Sequence, residues 1–197
     1  MNVLYLTYDG LTDNLGQSQI LPYVFHLQKN GHQFHIISCE KQDNFNLRYT
    51  TVKQLLIDNN VEHTPLFYTK RPPVVSTVID VFKLISTAKK LHHQQPFDVV
   101  HCRSYIPALV GLYLKRKYGV KFVFDMRGFW ADERVDGNLW NLKNPLYKMV
   151  YGFFKRKEKQ FIQESNAVVS LTYAGLQEMQ RWNYIPNIEH KTTIIPC

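Results

Sequence analysis

The stretch Val3-Leu4-Tyr5-Leu6-Thr7 opens the chain with a nearly continuous apolar run. Such a run is typical of a strand buried on both faces, as the strands of parallel sheets are. A helical pattern follows the next loop, with apolar residues at Ile20, Val24 and Leu27. We predict that Ser18 caps the start of this helix and that Asn30-Gly31 closes it in a left-handed conformation.

The alternation of strand and helix patterns continues along the whole chain. Further strands are predicted at residues 34–38, 66–68, 98–101, 121–125, 167–171 and 192–197. Helices are predicted around a stripe at Tyr49, Val52, Leu55 and Leu56, over 104–118 and 145–164, and from Thr172. Strands joined by helices imply right-handed crossovers. The fold class is therefore α/β, a doubly wound, Rossmann-like parallel sheet of about seven strands.

One more helix follows the strongest internal break, Lys70-Arg71-Pro72-Pro73. Paired prolines remove backbone donors and restrict the residue before them, so this segment is predicted to be a loop within one domain. We predict that Ser76 caps the helix and that its sheet-facing side carries Val78, Val81, Phe82 and Ile85.

The last predicted strand, residues 192–197, has no helix after it. Parallel sheets usually cover both faces with crossover helices, so a bare final strand indicates that a second domain follows. We expect residues 1–197 to be one domain of a two-domain protein.

Composition places the chain among cytoplasmic globular proteins. With 197 residues and 45% hydrophobic content it can bury a core without disulfides or metal. No apolar stretch approaches the roughly 18 residues of a membrane span, and no leader pattern is visible. The three cysteines, Cys39, Cys102 and Cys197, are far apart, which argues against disulfides and zinc and fits a reducing compartment. Cys102 is expected to be a small buried thiol.

The net charge of +8 indicates an anionic partner. Basic clusters occur at Lys70-Arg71, Lys89-Lys90, Lys115-Arg116-Lys117 and Lys155-Arg156-Lys157. Each cluster alone is explained as a solvated helix end. No helix-turn-helix, aromatic ribonucleoprotein or zinc-finger pattern points to nucleic acid. Anionic headgroups or phosphorylated substrates are the favoured partners.

Ligands of open α/β sheets bind at the carboxyl ends of the strands, so the loops there are the candidate site. The first loop, residues 8–18, is neither a dinucleotide fingerprint nor a P-loop. Its Gly16 precedes a helix N-terminus, where backbone N–H groups attract anions and a missing side chain permits close approach. A turn glycine required only for its φ angle is the equal alternative.

The second loop begins after the strand at 98–101 and contains Arg103. A guanidinium there can anchor a phosphate or carboxylate through two bonds, or serve as a structural ion-pair partner. His101, at the end of the strand, is expected to be a hydrogen-bonded core histidine and not a base.

The third loop, residues 124–134, combines three acids, two arginines and the aromatic pair Phe129-Trp130. Carboxylates that accept hydroxyl protons, together with a ring that covers an apolar face, are typical of sugar sites. Internal salt bridges are the structural alternative. The charge density beside aromatics that look exposed favours binding.

Three segments carry a resemblance to a known family: residues 8–19, residues 127–133 and the closing Ile194-Ile195-Pro196-Cys197. They resemble the N-terminal half of retaining nucleotide-sugar glycosyltransferases of the GT-B fold, the group-1 or family-four transferases. In that family an N-terminal domain mainly binds the acceptor, and a C-terminal domain mainly binds the sugar nucleotide. The resemblance implies that this chain is the acceptor half and that the donor-binding domain is not part of it.

The resemblance also assigns roles. It places Gly16 and Gln17 in the loop that approaches the donor phosphates. Many relatives have a histidine near the end of the strand that here reads Asp125-Met126-Arg127, and we assign catalytic positions to Asp125 and Arg127. The expected acceptor-binding residues are Asp9, Asp13, Arg103, Trp130, Asp132 and Glu133.

The implied chemistry is retaining transfer of a sugar from a nucleoside diphosphate sugar to a hydroxyl, in glycan, polysaccharide or lipid-linked saccharide synthesis. The leaving diphosphate receives the acceptor proton, so neither a protein nucleophile nor a cofactor is expected, and the sequence offers no metal ligand set. The expected partners are a sugar or glycan acceptor and the missing domain. A non-catalytic sugar- or phosphate-binding module and half of a nucleotide-sugar epimerase are the alternatives.

The helix predicted over 145–164 bears on localisation. It carries an apolar stripe at Leu146, Met149, Val150, Phe153 and Phe154 beside several lysines. A core-facing helix with a solvated side is the favoured interpretation, and insertion at a membrane interface is the alternative. The second would place the protein peripherally on the inner face of the plasma membrane, where relatives with lipid-linked acceptors act.

Overall fold

The computed structural model describes residues 1–182 and 185–196, so Cys197 lies outside the described residues. One parallel sheet of seven strands has the order β3-β2-β1-β4-β5-β6-β7. The strands are β1 (Asn2–Thr7), β2 (Gln33–Glu40), β3 (Glu62–Phe67), β4 (Val99–Arg103), β5 (Lys121–Asp125), β6 (Ala167–Ser170) and β7 (Thr192–Ile194). The predicted doubly wound, Rossmann-like sheet is confirmed.

Seven α-helices connect or follow these strands in the described part of the chain. They are α1 (Leu21–Lys29), α2 (Gln42–Asp58), α3 (Val75–Gln94), α4 (Tyr105–Tyr118), α5 (Trp130–Asp136), α6 (Pro145–Glu164) and α7 (Tyr173–Gln180). A π-helical turn, Gly16–Ile20, leads directly into α1, and a 3₁₀ turn, Ile188–Lys191, precedes β7. The sequence did not predict α5, which lies inside the third loop.

The core lies on both faces of the sheet. Leu4 and Leu6 pack into one cluster with α3, α4 and α6, whereas Val3 and Tyr5 pack into another with α1 and α2. Successive residues of a strand point to opposite faces, so a strand covered on both sides must be apolar throughout. This explains the continuous apolar run that opens the chain.

Strand β1 pairs with both β2 and β4, and the order of the strands reverses between β1 and β4. The chain runs outward from β1 to β3 and then crosses back to β4, so the loops after β1 and β4 diverge. Such a switch point leaves a crevice at the carboxyl ends of the two strands.

The prediction for the face of α3 was wrong for Val78 and Phe82 and is confirmed for Val81 and Ile85. Val78 and Phe82 are 48% and 67% exposed, and the buried positions are Ser76, Asp80, Leu84 and Ala88. Val81 and Ile85 pack against the core as predicted, but half-buried. Asp80 accepts hydrogen bonds from Thr69 and from the Tyr8 hydroxyl, which holds this polar residue inward. The helix begins at Val75, so Ser76 is not its cap.

The two other predicted element starts also need correction. Ser18 is not a cap, because it lies within the π-helical turn and its Oγ donates to Asn14 O at 2.8 Å. The left-handed conformation at Gly31 is confirmed by its φ of +84°.

Strand β3 spans Glu62–Phe67 and not the predicted 66–68. It contains Pro65, which an edge strand tolerates. In α2 the predicted stripe is buried at Val52 and Leu56, but Leu55 is 41% exposed.

Helix α6 divides its predicted apolar stripe between core and solvent. Its buried positions are Phe154, Glu158, Phe161 and Ile162. Leu146, Met149 and Phe153 remain 43%, 62% and 37% exposed. The core-facing interpretation therefore holds for Val150, Phe154 and the C-terminal half of the helix, but not for Leu146, Met149 and Phe153. Among the described residues, no helix is both long and apolar enough to cross a membrane.

Candidate functional site

The candidate site is a pocket of about 150 Å³ at the carboxyl ends of the central strands. The register aligns Thr7 of β1 with Arg103 of β4, and Arg103 with Asp125 of β5. Its lining includes Tyr5, Gln19, Tyr23, Arg103, Asp125, Arg127, Ile195 and Pro196. The pocket therefore opens at the switch point, where the topology leaves a crevice.

Two guanidinium groups converge on one neutral oxygen in this pocket. Arg103 Nη2 donates to Gln19 Oε1 at 2.7 Å, and Arg127 Nη2 donates to the same atom at 2.8 Å. Arg103 also donates through Nε to Asp9 Oδ2 at 3.2 Å. The Arg103 side chain is 6% exposed and that of Arg127 16%, so both charges lie in a partly desolvated environment.

Asp125 is the buried acid of the pocket, 4% exposed. Its Oδ2 lies 3.4 Å from His101 Nε2, and the imidazole stacks on Tyr5 with ring centroids 4.7 Å apart. Its Oδ1 has no hydrogen-bond partner among the described residues, and Arg127 Nη1 lies 3.9 Å away. His101 is confirmed as a buried core histidine. Asp125 Oδ1 is therefore a buried acceptor whose hydrogen-bonding capacity is unused within the described part of the chain.

The pocket charges shift the pKa values of their neighbours. Burial disfavours the charged form of Arg103, but Tyr5, Asp125 and Asp9 outweigh it and raise its pKa. Burial, followed by the charge of Asp125, raises the pKa of Tyr23 to about 12, and the same causes raise the pKa of Tyr5. Both phenols therefore stay protonated and can donate hydrogen bonds.

A buried carboxylate holds the start of the first loop. Glu40, fully buried, accepts from Leu11 N at 2.7 Å, from Thr12 N at 3.3 Å and from two hydroxyls, Thr12 Oγ1 and Ser38 Oγ. A Cβ on Gly10 would lie 2.6 Å from Glu40 Oε2. The loop therefore approaches the carboxylate closely and has a fixed path across the strand ends.

Gly16 closes the same loop on itself. A Cβ at this position would lie 2.2 Å from Gly10 O and 2.6 Å from Leu11 Cα. Its φ is outside the left-handed region, so the alternative of a glycine required only for φ is wrong. The missing side chain is needed because two parts of the loop backbone touch. Gln17, next to it, is exposed and donates to Thr12 O at 3.2 Å.

Asp13 lies apart from the pocket. Its carboxylate accepts from Lys41 Nζ at 2.8 Å, in the connection between β2 and α2, and from Asn44 Nδ2 in the first turn of α2. These contacts tie the first loop to its neighbour on the β2 side. The structure thus does not bring Asp13 together with Arg103, Asp125 and Arg127.

The loops after β4 and β5 contain unusual backbone conformations. Ser104 has a φ of +70° and Arg127 a φ of +60°, and Gly128 follows at +140°. Non-glycine residues rarely adopt positive φ, and such conformations concentrate at functional sites. The turn at Arg127 and Gly128 directs the chain from β5 into α5 directly beside the pocket.

The acids of α5 have different surroundings. Asp132 accepts from the Tyr151 hydroxyl at 2.8 Å and from Lys155 Nζ at 2.9 Å. Lys155 Nζ also donates a hydrogen bond to Glu158, which accepts a second one from the Tyr105 hydroxyl. Glu158 is fully buried, and burial raises the pKa of its carboxyl group. This network fixes α5 on α6. Glu133 is exposed, and its Oε1 lies where a Cβ of Gly128 would be.

The aromatic pair is half-buried, which corrects the expectation that it is exposed. Trp130 stacks on Tyr105 at 5.7 Å and meets Trp140 and Phe154 edge-on, while Phe129 packs on Trp182. Burying aromatic area beneath α5 stabilises the fold more than leaving it exposed. Trp130 thus supports the wall of the site.

Four of the predicted residues therefore meet: Arg103, Asp125 and Arg127 line the pocket, and Asp9 joins them through Arg103. Gly16, Gln17, Asp13, Trp130, Asp132 and Glu133 lie in the surrounding loops and are not among its lining residues. Gln19, Tyr5 and Tyr23 were not predicted to be site residues. Gln19 lies in a motif that carries the family resemblance, which is the one signal that pointed to it.

The sequence model of Glycosyltransferase Family 4 matches residues 22–197. The chain belongs to glycosyltransferase family 4. A comparison with curated protein sequences found no significant match.

Solved structures share the fold of this family 4 chain at low identity. It is similar to sucrose-phosphate synthase from Thermosynechococcus elongatus, with a TM-score of 0.66 and 12% identity over 100% of this chain and 48% of that one. An Anabaena protein in complex with UDP and glucose gives 0.58 and 11%, covering 100% and 44%. UDP-GlcNAc 2-epimerase from Neisseria meningitidis gives 0.58 and 15%, covering 98% and 46%. The chain spans about half the length of these structures.

The described residues show neither a reactive cysteine at Cys102 nor a cluster of metal-ligating side chains. Cys102 is fully buried, as predicted, and burial raises the pKa of its thiol. Residues 1–182 and 185–196 contain no group of three or more His, Cys, Asp or Glu side chains placed to hold a metal ion.

Proposed function

We propose that this family 4 chain is the acceptor-binding half of a retaining glycosyltransferase. The observation that carries the proposal is Asp125, a buried acid set between Arg103 and Arg127 at the switch point, one of whose carboxylate oxygens accepts no hydrogen bond from the described residues. A hydroxyl of the acceptor would donate to Asp125 Oδ1 and be held against the adjacent arginines. The reaction served is sugar transfer from a nucleoside diphosphate sugar in glycan, polysaccharide or lipid-linked saccharide synthesis.

The donor would come from a second domain facing this pocket. In the proposed reaction the diphosphate leaves on the face that the acceptor attacks and takes the acceptor proton itself. Asp125 and Arg127 would then orient the hydroxyl and stabilise developing charge without a covalent intermediate, a cofactor or a metal. The first loop, which Glu40 and Gly16 fix in place, would approach the diphosphate through the backbone near Gln17.

An assay of a longer chain tests this proposal. The coding region beyond residue 197 should continue into a second α/β domain with a spaced pair of glutamates. That longer protein should release nucleoside diphosphate from a sugar nucleotide only when an acceptor is present, and residues 1–197 alone should not. Product NMR should show the anomeric configuration of the donor. Inversion, or turnover by residues 1–197 alone, would contradict the proposal.

A nucleotide-sugar epimerase is the second candidate, because the fold is shared with UDP-GlcNAc 2-epimerase and the pocket contains a buried acid, Asp125. The same assay separates the two reactions. An epimerase converts the sugar nucleotide without an acceptor and, when run in deuterium oxide, incorporates deuterium at the epimerised carbon. A transferase does neither.

We also propose that the enzyme works in the cytoplasm as a peripheral protein of the inner membrane face. Helix α3 supports this more strongly than α6 does. Its exposed side carries Val75, Val78, Ile79 and Phe82, each more than 40% exposed. Lys89 and Lys90 follow on the same side at helical spacing, and both are exposed. An apolar stripe next to cationic residues fits an anionic lipid surface.

A further inference from the structure

The pocket at the carboxyl ends of β1, β4 and β5 contains two cations that share one neutral oxygen. Arg103 and Arg127 each donate an Nη2 hydrogen bond to Gln19 Oε1, at 2.7 and 2.8 Å. Guanidinium groups pair with carboxylates and phosphates through parallel hydrogen bonds to two or more oxygens. Gln19 offers a single uncharged oxygen, which takes one bond from each arginine and neutralises neither charge.

We propose that an anionic oxygen of the acceptor, from a phosphate or carboxylate, replaces Gln19 Oε1 between Arg103 and Arg127. This inference rests on the proposed function and specifies its substrate class: a saccharide or polyol that carries an acidic group next to the reacting hydroxyl.

The geometry of the two guanidinium groups favours such a ligand. Their planar donor arrays match the oxygen atoms of carboxylates and phosphates, which a point charge such as lysine does not. Arg103 is only 5% exposed, so its charge is poorly screened by water. Gln19 lies on the helical turn after the first loop and is itself half-buried, so a small rotation of its side chain would vacate the position.

The two carboxylates of the pocket do not exclude an anion. Asp9 accepts a hydrogen bond from Arg103 Nε, which is not the atom that bonds Gln19. The Asp9 side chain is 42% exposed, so solvent screens its negative charge. Asp125 is buried, and its Oδ1, which accepts no hydrogen bond from the described residues, would accept one from a hydroxyl of the same ligand once the Gln19 side chain has moved aside. The pocket thus offers donors for an anionic group and an acceptor for a neutral hydroxyl side by side.

The volume fits one such group. The pocket has a volume of about 150 Å³, several times what one water needs. A phosphate or carboxylate with the adjoining carbon atoms fills this space, and the remainder of a saccharide would extend out of the opening toward the proposed second domain.

Titrations followed through the arginine side chains test the inference. The ¹H–¹⁵N spectra of the Nε–Hε groups of Arg103 and Arg127 are recorded with methyl phosphate, acetate, methyl glucoside, or sodium chloride at matched ionic strength. Methyl phosphate or acetate should shift both signals saturably, and chloride and methyl glucoside should not. Which of the two anions binds more tightly distinguishes a phosphorylated acceptor from a carboxylated one.

Two substitutions at Gln19 make the test specific. Gln19→Glu puts a carboxylate of nearly equal size against the two guanidinium groups, and we expect it to weaken methyl phosphate binding at least tenfold. Gln19→Ala removes the competing oxygen and should bind methyl phosphate as tightly as the wild type or more so. Amide spectra show that each variant is folded, and the wild-type titration is decisive if one is not.

The inference is overturned if chloride shifts the two arginine signals as much as methyl phosphate does, or if Gln19→Glu binds methyl phosphate as tightly as Gln19→Ala. Its failure is distinct from failure of the proposed function. If the longer chain transfers sugar to neutral acceptors while methyl phosphate does not bind, the transferase stands and only the anionic acceptor is lost.

Discussion

Arg103 and Asp125 lie side by side, paired in register at the carboxyl ends of neighbouring strands β4 and β5. Arg103 is the last residue of its strand and Asp125 the last of the other, and both side chains are buried. Parallel pairing fixes this relationship, because strands that run in one direction bring their ends to one edge of the sheet. The remaining parts of the site are arranged around this pair.

Gly16→Ala should destabilise the chain by about 3 kcal/mol, since the new methyl group would overlap the backbone at Gly10 and Leu11. The matched control is Gly152→Ala in the middle of α6, where a Cβ meets nothing within 4 Å. This control should stabilise the protein by about 0.5–1 kcal/mol through helix propensity. Urea unfolding followed by circular dichroism measures both, and equal effects would refute the close approach within the loop.

Glu40→Ala should cost about 3 kcal/mol of unfolding free energy, because the buried N–H groups of Leu11 and Thr12 lose their acceptor. Hydrogen exchange at these two amides should also speed up. Glu178→Ala on α7, which breaks only a surface pair with Arg181, should change stability by about 0.5 kcal/mol or less. A loss as small in Glu40→Ala would show that the loop does not depend on the carboxylate.

His63 should make stability fall in acid. Burial lowers the pKa of its imidazole from 6.5 to about 3, so between these values the unfolded state binds more protons than the folded state. The stabilisation is complete above pH 6.5 and is lost as the pH falls toward 3, at up to about 1.4 kcal/mol per pH unit. NMR of the His63 ring tests this directly: a midpoint near 6.5 in the folded protein would contradict it.

The α3 surface should bind anionic vesicles. The wild type should float with phosphatidylglycerol vesicles more than with phosphatidylcholine vesicles at low salt, and Phe82→Asp should reduce this severalfold. Leu47→Asp is the matched control, a 77% exposed leucine on α2, which should keep the binding. Equal flotation on both lipids, or equal loss in both variants, would exclude this surface.

The sheet and three pocket residues could be predicted because apolar runs in the sequence mark the buried strands and therefore the positions where they end. Arg103, Asp125 and Arg127 follow apolar runs, and parallel topology then places them together. Gln19 was not predictable, since its position depends on how the π-helical turn after Gly16 orients the side chain.

Other residues were misjudged for physical reasons that sequence does not reveal. Asp132 shares the charge density of its loop, but Tyr151 and Lys155 satisfy it from another helix. Phe82 has the spacing of a core residue, yet the inward hydrogen bonds of Asp80 turn it toward solvent. Periodicity identifies a stripe but cannot decide between an apolar and a polar stripe when tertiary hydrogen bonds favour the second.

We propose that the sheet edge at the carboxyl ends of β1, β4 and β5 binds the acceptor and that residues 1–197 bind the sugar nucleotide weakly. Backbone amide NMR of residues 1–197, titrated with saccharide acceptor fragments and separately with UDP- and GDP-sugars, distinguishes the two kinds of binding. We predict saturable acceptor shifts concentrated at Asp9, Gln19, Arg103 and Arg127, and weak or absent shifts with sugar nucleotides. Tight nucleotide binding, or acceptor shifts at the opposite edge of the sheet, would contradict the account.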